Sequence, residues 1–174
     1  MKRVSKIFLL LGGVLGAFFT AFSGALSTLL FGLFDLAGLG VFIGGTVSYS
    51  SMEANAQYYD PAQVEEYLAN YSIMMGSGIA TIIVFTIIGI VYACILAGLL
   101  FSSIMALINV VALPDKKAGY IISLILGVLT LISGLMNGLV IAFIGLLIML
   151  GGIFGMIALK KEKKVQEIEV ELVK

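Results

Sequence analysis

From Ala118 to Leu159 the chain runs for 42 residues without a charged side chain. As helix, at 1.5 Å per residue, that is about 63 Å, roughly twice the ~30 Å hydrocarbon core of a bilayer. A run of this length has to fold back on itself. Asn137-Gly138 stands near its middle and is a turn dipeptide, so the pattern predicts one span over 118–135 and another over 138–159. Residues 7–34 are equally free of charge and supply a first, tilted span, because about 20 apolar residues suffice to cross.

The apolar stretch from Ile73 to Leu113 is long enough for either one span or two, and charge decides between them. All ten Lys and Arg fall within 2–6, at Lys116 and Lys117, and within 160–174. One span leaves every one of them on the cytoplasmic side, whereas two would place Lys116 and Lys117 opposite the amino terminus and expose the basic tail outside. The expected second span is therefore 76–108, strongest from Ile79 to Leu100. Ser102, Ser103 and Asn109 then reach past the bilayer or lie along the inner interface before Pro114 stops the helix. The fold class is all-α: a polytopic four-transmembrane-helix bundle over 1–159 with a short amphipathic outer helix, a cytoplasmic tail at 160–174, and both termini inside a multi-pass cell-membrane protein. The start also has the form of a signal peptide, but its apolar run exceeds the 7–15 residues of a signal core, so cleavage is not expected.

With 61% apolar and 11% charged residues, the medium is lipid rather than water. Histidine is absent and Cys94 is the one cysteine, so no catalytic residues, metal ligands or cofactors are expected and no disulfide can form within the chain. Cys94 reads as a small buried apolar residue rather than a reactive thiol. No basic surface is available for nucleic acid. The spans lack ionisable groups and proline, which argues against ion-coupled transport.

The segment 47–73 carries Glu53, Asp60, Glu65 and Glu66 and no cation, which places it outside. Asp60-Pro61-Ala62-Gln63 is a helix start, with Asp as cap and Pro at the first position. Val64, Tyr67, Leu68 and Tyr71 then make one apolar face. Tyr49, Tyr58, Tyr59, Tyr67 and Tyr71 form an interfacial belt or, with Glu65 and Glu66, an outer binding surface. Residues 36–47 are apolar and Gly-rich, and helix, interfacial segment and loop all remain open for them. Asp35 is the one acidic residue in a strongly apolar context, a candidate polar site; its distance from Lys6 places it at the outer interface, where water can reach it.

Leu-Gly-Gly-Val-Leu-Gly at 11–16 recurs as Leu-Gly-Gly-Ile-Phe-Gly at 150–155. Gly12 with Gly16 and Gly151 with Gly155 are four apart, spacing that lets helix backbones approach in lipid and predicts contact between the first and fourth helices. Gly89, Ala93 and Ala97, and the row of Cys94, Gly98, Ser102 and Ala106, suit the same kind of packing. In the tail, Lys160-Lys161-Glu162-Lys163-Lys164 is a collar for anionic headgroups, and the alternation from Glu167 to Val173 suggests disorder or a strand for a partner's sheet.

The Lys-Arg start, the Leu-Gly-Gly-Val-Leu-Gly opening helix, the Pro-Asp-Lys-Lys-Ala-Gly link at 114–119 and the Gly-rich closing helix running into Lys160-Lys161 resemble the small four-helix membrane proteins of Gram-positive bacteria classed as a domain of unknown function. The resemblance implies a bacterial cell membrane and brings no catalytic residues. The expected function is non-enzymatic contact with a membrane-protein partner or a second copy within the lipid bilayer, in an accessory, sensor or immunity-type role. The alternative is an oligomeric channel or small-molecule carrier.

Overall fold

A computed structural model describes residues 1–112 and 116–172, with side chains described to residue 168. It is all-α: α1 (Lys2–Ala54), a single 3₁₀ turn (Ala56–Tyr58), α2 (Pro61–Val111), α3 (Lys117–Asn137) and α4 (Leu139–Leu172). Each of the four α-helices contains a stretch long and apolar enough to cross a membrane, the plan of a multi-pass membrane protein. The expected stop at Pro114 lies outside the described residues.

The helices differ sharply in length. At 1.5 Å per residue α3 (21 residues) measures about 32 Å and matches the hydrocarbon core, whereas α1 (53) and α2 (51) each approach 80 Å. The Gly-rich residues 36–47 are helix throughout. The start expected at Asp60-Pro61 is in place, the Ala62 N–H donating to Asp60 Oδ1 at 2.9 Å, and it opens α2, which runs unbroken into the apolar stretch. The tail is helical as far as Leu172 rather than the strand that its alternation suggested. Extending an existing helix needs no new nucleus, and Lys, Gln and Glu are good helix formers.

The contacts divide the chain into two compact units, Met1–Ser23 with Cys94–Lys174, and Gly24–Ala93. The first unit holds segments of all four helices around Leu9, Leu99, Ala106, Tyr120, Ile141, Ile144 and Ile148. Within it α1 meets α4. Gly12 faces Ile148, Gly151 faces Leu9, and Ser5 Oγ donates to the Gly151 carbonyl at 2.7 Å. Phe8 stacks on Phe154 with ring centroids 5.7 Å apart. Gly16 lies against Ser103 and Ile144, and Gly155 against the Tyr120 ring of α3. The closest backbone approach at a glycine joins α3 to α4, where Gly134 leaves no room for a methyl group beside the Ala142 backbone. The chain reverses between them at Gly138, whose φ of 147° is one that L side chains rarely adopt.

In the second unit α1 and α2 form an antiparallel hairpin. The less exposed positions of α1 include Phe31, Asp35, Gly38, Phe42, Gly45, Tyr49 and Met52, and those of α2 include Leu68, Tyr71, Met75, Gly78, Ile82, Phe85, Gly89 and Tyr92. Both series step alternately by three and four, the 3.5-residue period of a coiled-coil seam. Glycines bring the backbones together. A methyl group at Gly78 would lie 2.7 Å from the Gly38 carbonyl oxygen and 2.7 Å from the Phe42 nitrogen. The Phe34 and Phe85 rings stack with centroids 4.2 Å apart, and Gly89 lies against the Phe31 ring. The small-residue row does not continue along the seam: Ala93 and Ala97 are exposed, and Gly98 has no neighbour within 4 Å of where its side chain would begin.

Candidate functional site

The connection between α1 and α2, in the second unit, carries most of the chemistry that the sequence marks out. Tyr59 and Tyr71 line a cavity of about 300 Å³ whose polar wall comes from Ser48, Ser51 and Asn55. Tyr67 stacks on Tyr71, one helical turn away, at 6.4 Å. Tyr49 is half-buried on the α1 seam, while Tyr58, at 76% exposed, stands clear. Glu65 and Glu66 are exposed on the first turns of α2 and do not line the cavity. The structure thus brings Tyr59, Tyr67 and Tyr71 together and leaves the two carboxylates outside. By sequence this unit carries five carboxylates and no Lys, Arg or His. Its tip presents hydroxyls, phenols and negative charge.

Asp35 lies within α1, which continues to Ala54, on the seam between Phe31 and Gly38, and its Oδ1 is buried without a hydrogen-bond partner. The helix does not stop where the first uncharged run stops, because no proline interrupts 36–47 and two of its glycines fit against α2. A carboxylate at a seam position costs stability unless something pairs with it.

In the first unit the polar groups largely serve one another. The hydroxyls of Ser102 and Thr130 share a hydrogen bond of 2.9 Å, and Asn109 Nδ2 donates to Ser123 Oγ at 3.1 Å. Thr20 and Ser103 return their protons to carbonyls four residues back. Asn109 Oδ1 is buried, has no hydrogen-bond partner and lies against Gly119. Cys94 is exposed rather than buried. It borders a groove of about 270 Å³ between α2 and α3, with Ser102 and Thr130 in its wall. In lipid an exposed small thiol carries no hydration penalty, which is why apolar character does not imply burial there. Among the described residues no group of three or more His, Cys, Asp or Glu could hold a metal ion.

The basic residues gather at one end of the first unit. Lys2 Nζ and Glu162 pair at 2.7 Å, Met1, Lys2 and Arg3 share a surface hollow with Lys161, and Lys117 shares another with Lys160 and Lys163. This convergence of three distant stretches of sequence is the clearest electrostatic feature of the unit. Comparison with known proteins finds no matching family model, no matching curated protein and no matching solved structure.

Proposed function

We propose that this chain is a non-enzymatic multi-pass membrane protein that works by contact with another membrane protein or with a second copy of itself, in an accessory, sensor or immunity-type role. The observation that carries the reading is the length of charge-free surface on α2. From Tyr67 to Val111, the end of α2, no residue is charged, about 68 Å of helix. A span tilted by as much as 40° through a ~30 Å core is covered for only about 40 Å. Large apolar side chains stay exposed outside the Ile79–Leu100 stretch, among them Ile73 (67%), Ile104 (43%) and Val111 (80%). Each leaves on the order of 1 kcal/mol of burial unrealised in water, so an apolar partner surface has to take over where lipid ends.

In this reading the basic end lies in the cytoplasm and the Tyr- and acid-bearing tip faces outward, following the excess of Lys and Arg on the inner side. The glycine contacts hold the helices together in a medium that supplies no hydrophobic drive between them. The resemblance to small Gram-positive membrane proteins points to a bacterial cell membrane. The test is purification from native membranes in mild detergent: a stoichiometric membrane partner or a homo-oligomer supports the proposal, and a monodisperse monomer overturns it. The groove beside Ser102 and Thr130 favours the second reading, a channel or carrier built from several copies. Reconstituted protein that conducts ions or moves solute across liposomes would establish that reading instead.

A further inference from the structure

At the basic end of the first unit, Lys117, Lys160 and Lys163 line one cavity of about 620 Å³. Lys117 is the first residue of α3, so the positive end of that helix's dipole adds to the three ammonium groups. Lys160 and Lys163 are three apart on α4 and share a face, an arrangement of like charges that costs free energy unless an anion sits between them. Among the described residues none of the three has an ion-pair partner. The one carboxylate in the lining, Glu162, is held by Lys2 at 2.7 Å. Beneath the charges the lining turns apolar at Met156 and Leu159, the last turns of α4 before its charged extension. The neighbouring hollow of Met1, Lys2, Arg3 and Lys161 has no such floor, offering only Ala158.

A phosphate flanked by hydrocarbon is the chemistry that fits cations above an apolar floor. We infer that this cavity is a binding site for the headgroup of an anionic glycerophospholipid, its phosphate between Lys117, Lys160 and Lys163 and the start of its acyl chains over Met156 and Leu159. The inference rests on the proposed membrane reading only in placing this end of the bundle at the bilayer surface. It sharpens a diffuse basic collar into three residues and a floor.

The experiment is native mass spectrometry of the full chain in detergent, titrated with phosphatidylglycerol and with phosphatidylcholine of the same acyl chains. The wild type is expected to prefer phosphatidylglycerol by roughly tenfold or more. The K117Q/K160Q/K163Q variant loses that preference, while the charge-matched K116Q/K161Q/K164Q variant keeps it. Glycerol phosphate at millimolar concentration does not displace the lipid, because it lacks the chains. Equal loss in both triple variants would overturn the site in favour of a diffuse collar, and displacement by glycerol phosphate would overturn the lipid in favour of a free phosphate compound. Recovery of the chain in the soluble fraction would instead sink the membrane reading itself, and is scored separately by fractionating cells.

Discussion

Replacing Gly78 with alanine tests the seam of the α1–α2 hairpin where it is tightest. The added methyl carbon would sit 2.7 Å from both the Gly38 carbonyl oxygen and the Phe42 nitrogen, and 3.0 Å from the Phe42 Cα. All three are backbone atoms and cannot rotate away, so the helices must part by nearly 1 Å to reach ordinary van der Waals separation. Overpacking of this kind costs about 1–3 kcal/mol. The movement also strains the Phe34–Phe85 stack, worth about 0.5–1.5 kcal/mol beyond its burial. Against this, alanine favours the helix over glycine by about 0.5–1 kcal/mol. The expected net is a loss of about 1–2 kcal/mol. Gly76 is the internal control, because it lies two residues away, is exposed and has nothing within 4 Å. Gly76→Ala should therefore stabilise by about 0.5–1 kcal/mol through helix propensity alone. The assay is SDS-driven unfolding in mixed micelles followed by circular dichroism, with disulfide trapping of a cysteine pair across the seam as a second readout. Equal shifts for the two alanines would refute the close-packed seam.

Three further outcomes follow from the same geometry. Asp35→Leu should stabilise the hairpin by about 1–3 kcal/mol by removing a buried oxygen without a partner; a loss of stability in the same unfolding assay would mean that the carboxylate is paired. The Ser102–Thr130 hydrogen bond should give a coupling of only about 0.6 kcal/mol in a double-mutant cycle of Ser102→Ala and Thr130→Val, and a coupling above about 2 would show a larger polar network. Gly134→Leu should separate α3 from α4 and cost more than Gly98→Leu, which meets nothing within 4 Å; the order of the two in thermal unfolding checks the assignment.

The plan of four apolar helices is legible in the sequence because lipid demands long uncharged runs, and the Asn137-Gly138 reversal and the Asp60-Pro61 start are legible because their chemistry is local. The hairpin seam is harder to read. Its period of 3.5 runs through Phe31, Asp35, Gly38, Phe42 and Gly45, but the positions between them are Leu, Val, Ile, Phe, Ala and Gly, so no polar face sets the seam off. Glycine adds to the difficulty, since helix propensity counts it as a weak former while Gly38 and Gly78 act as close-approach points. That Asp35 falls on the seam is hidden for the same reason, since no polar face marks which side of α1 meets α2. The cavity at Tyr59 and Tyr71 and the lysine cavity depend on which side chains converge across two elements, and spacing along one element carries no such information.

The proposed orientation, basic end inside and Tyr- and acid-bearing hairpin tip outside, is open to one direct labelling experiment. In a Cys94→Ala background, single cysteines at Gln57 and at Lys116 are exposed to a membrane-impermeant maleimide on intact cells. Rapid labelling of Gln57→Cys is expected, and labelling of Lys116→Cys only after the membrane is opened. Labelling of Lys116→Cys in intact cells, or protection of Gln57→Cys, would contradict it.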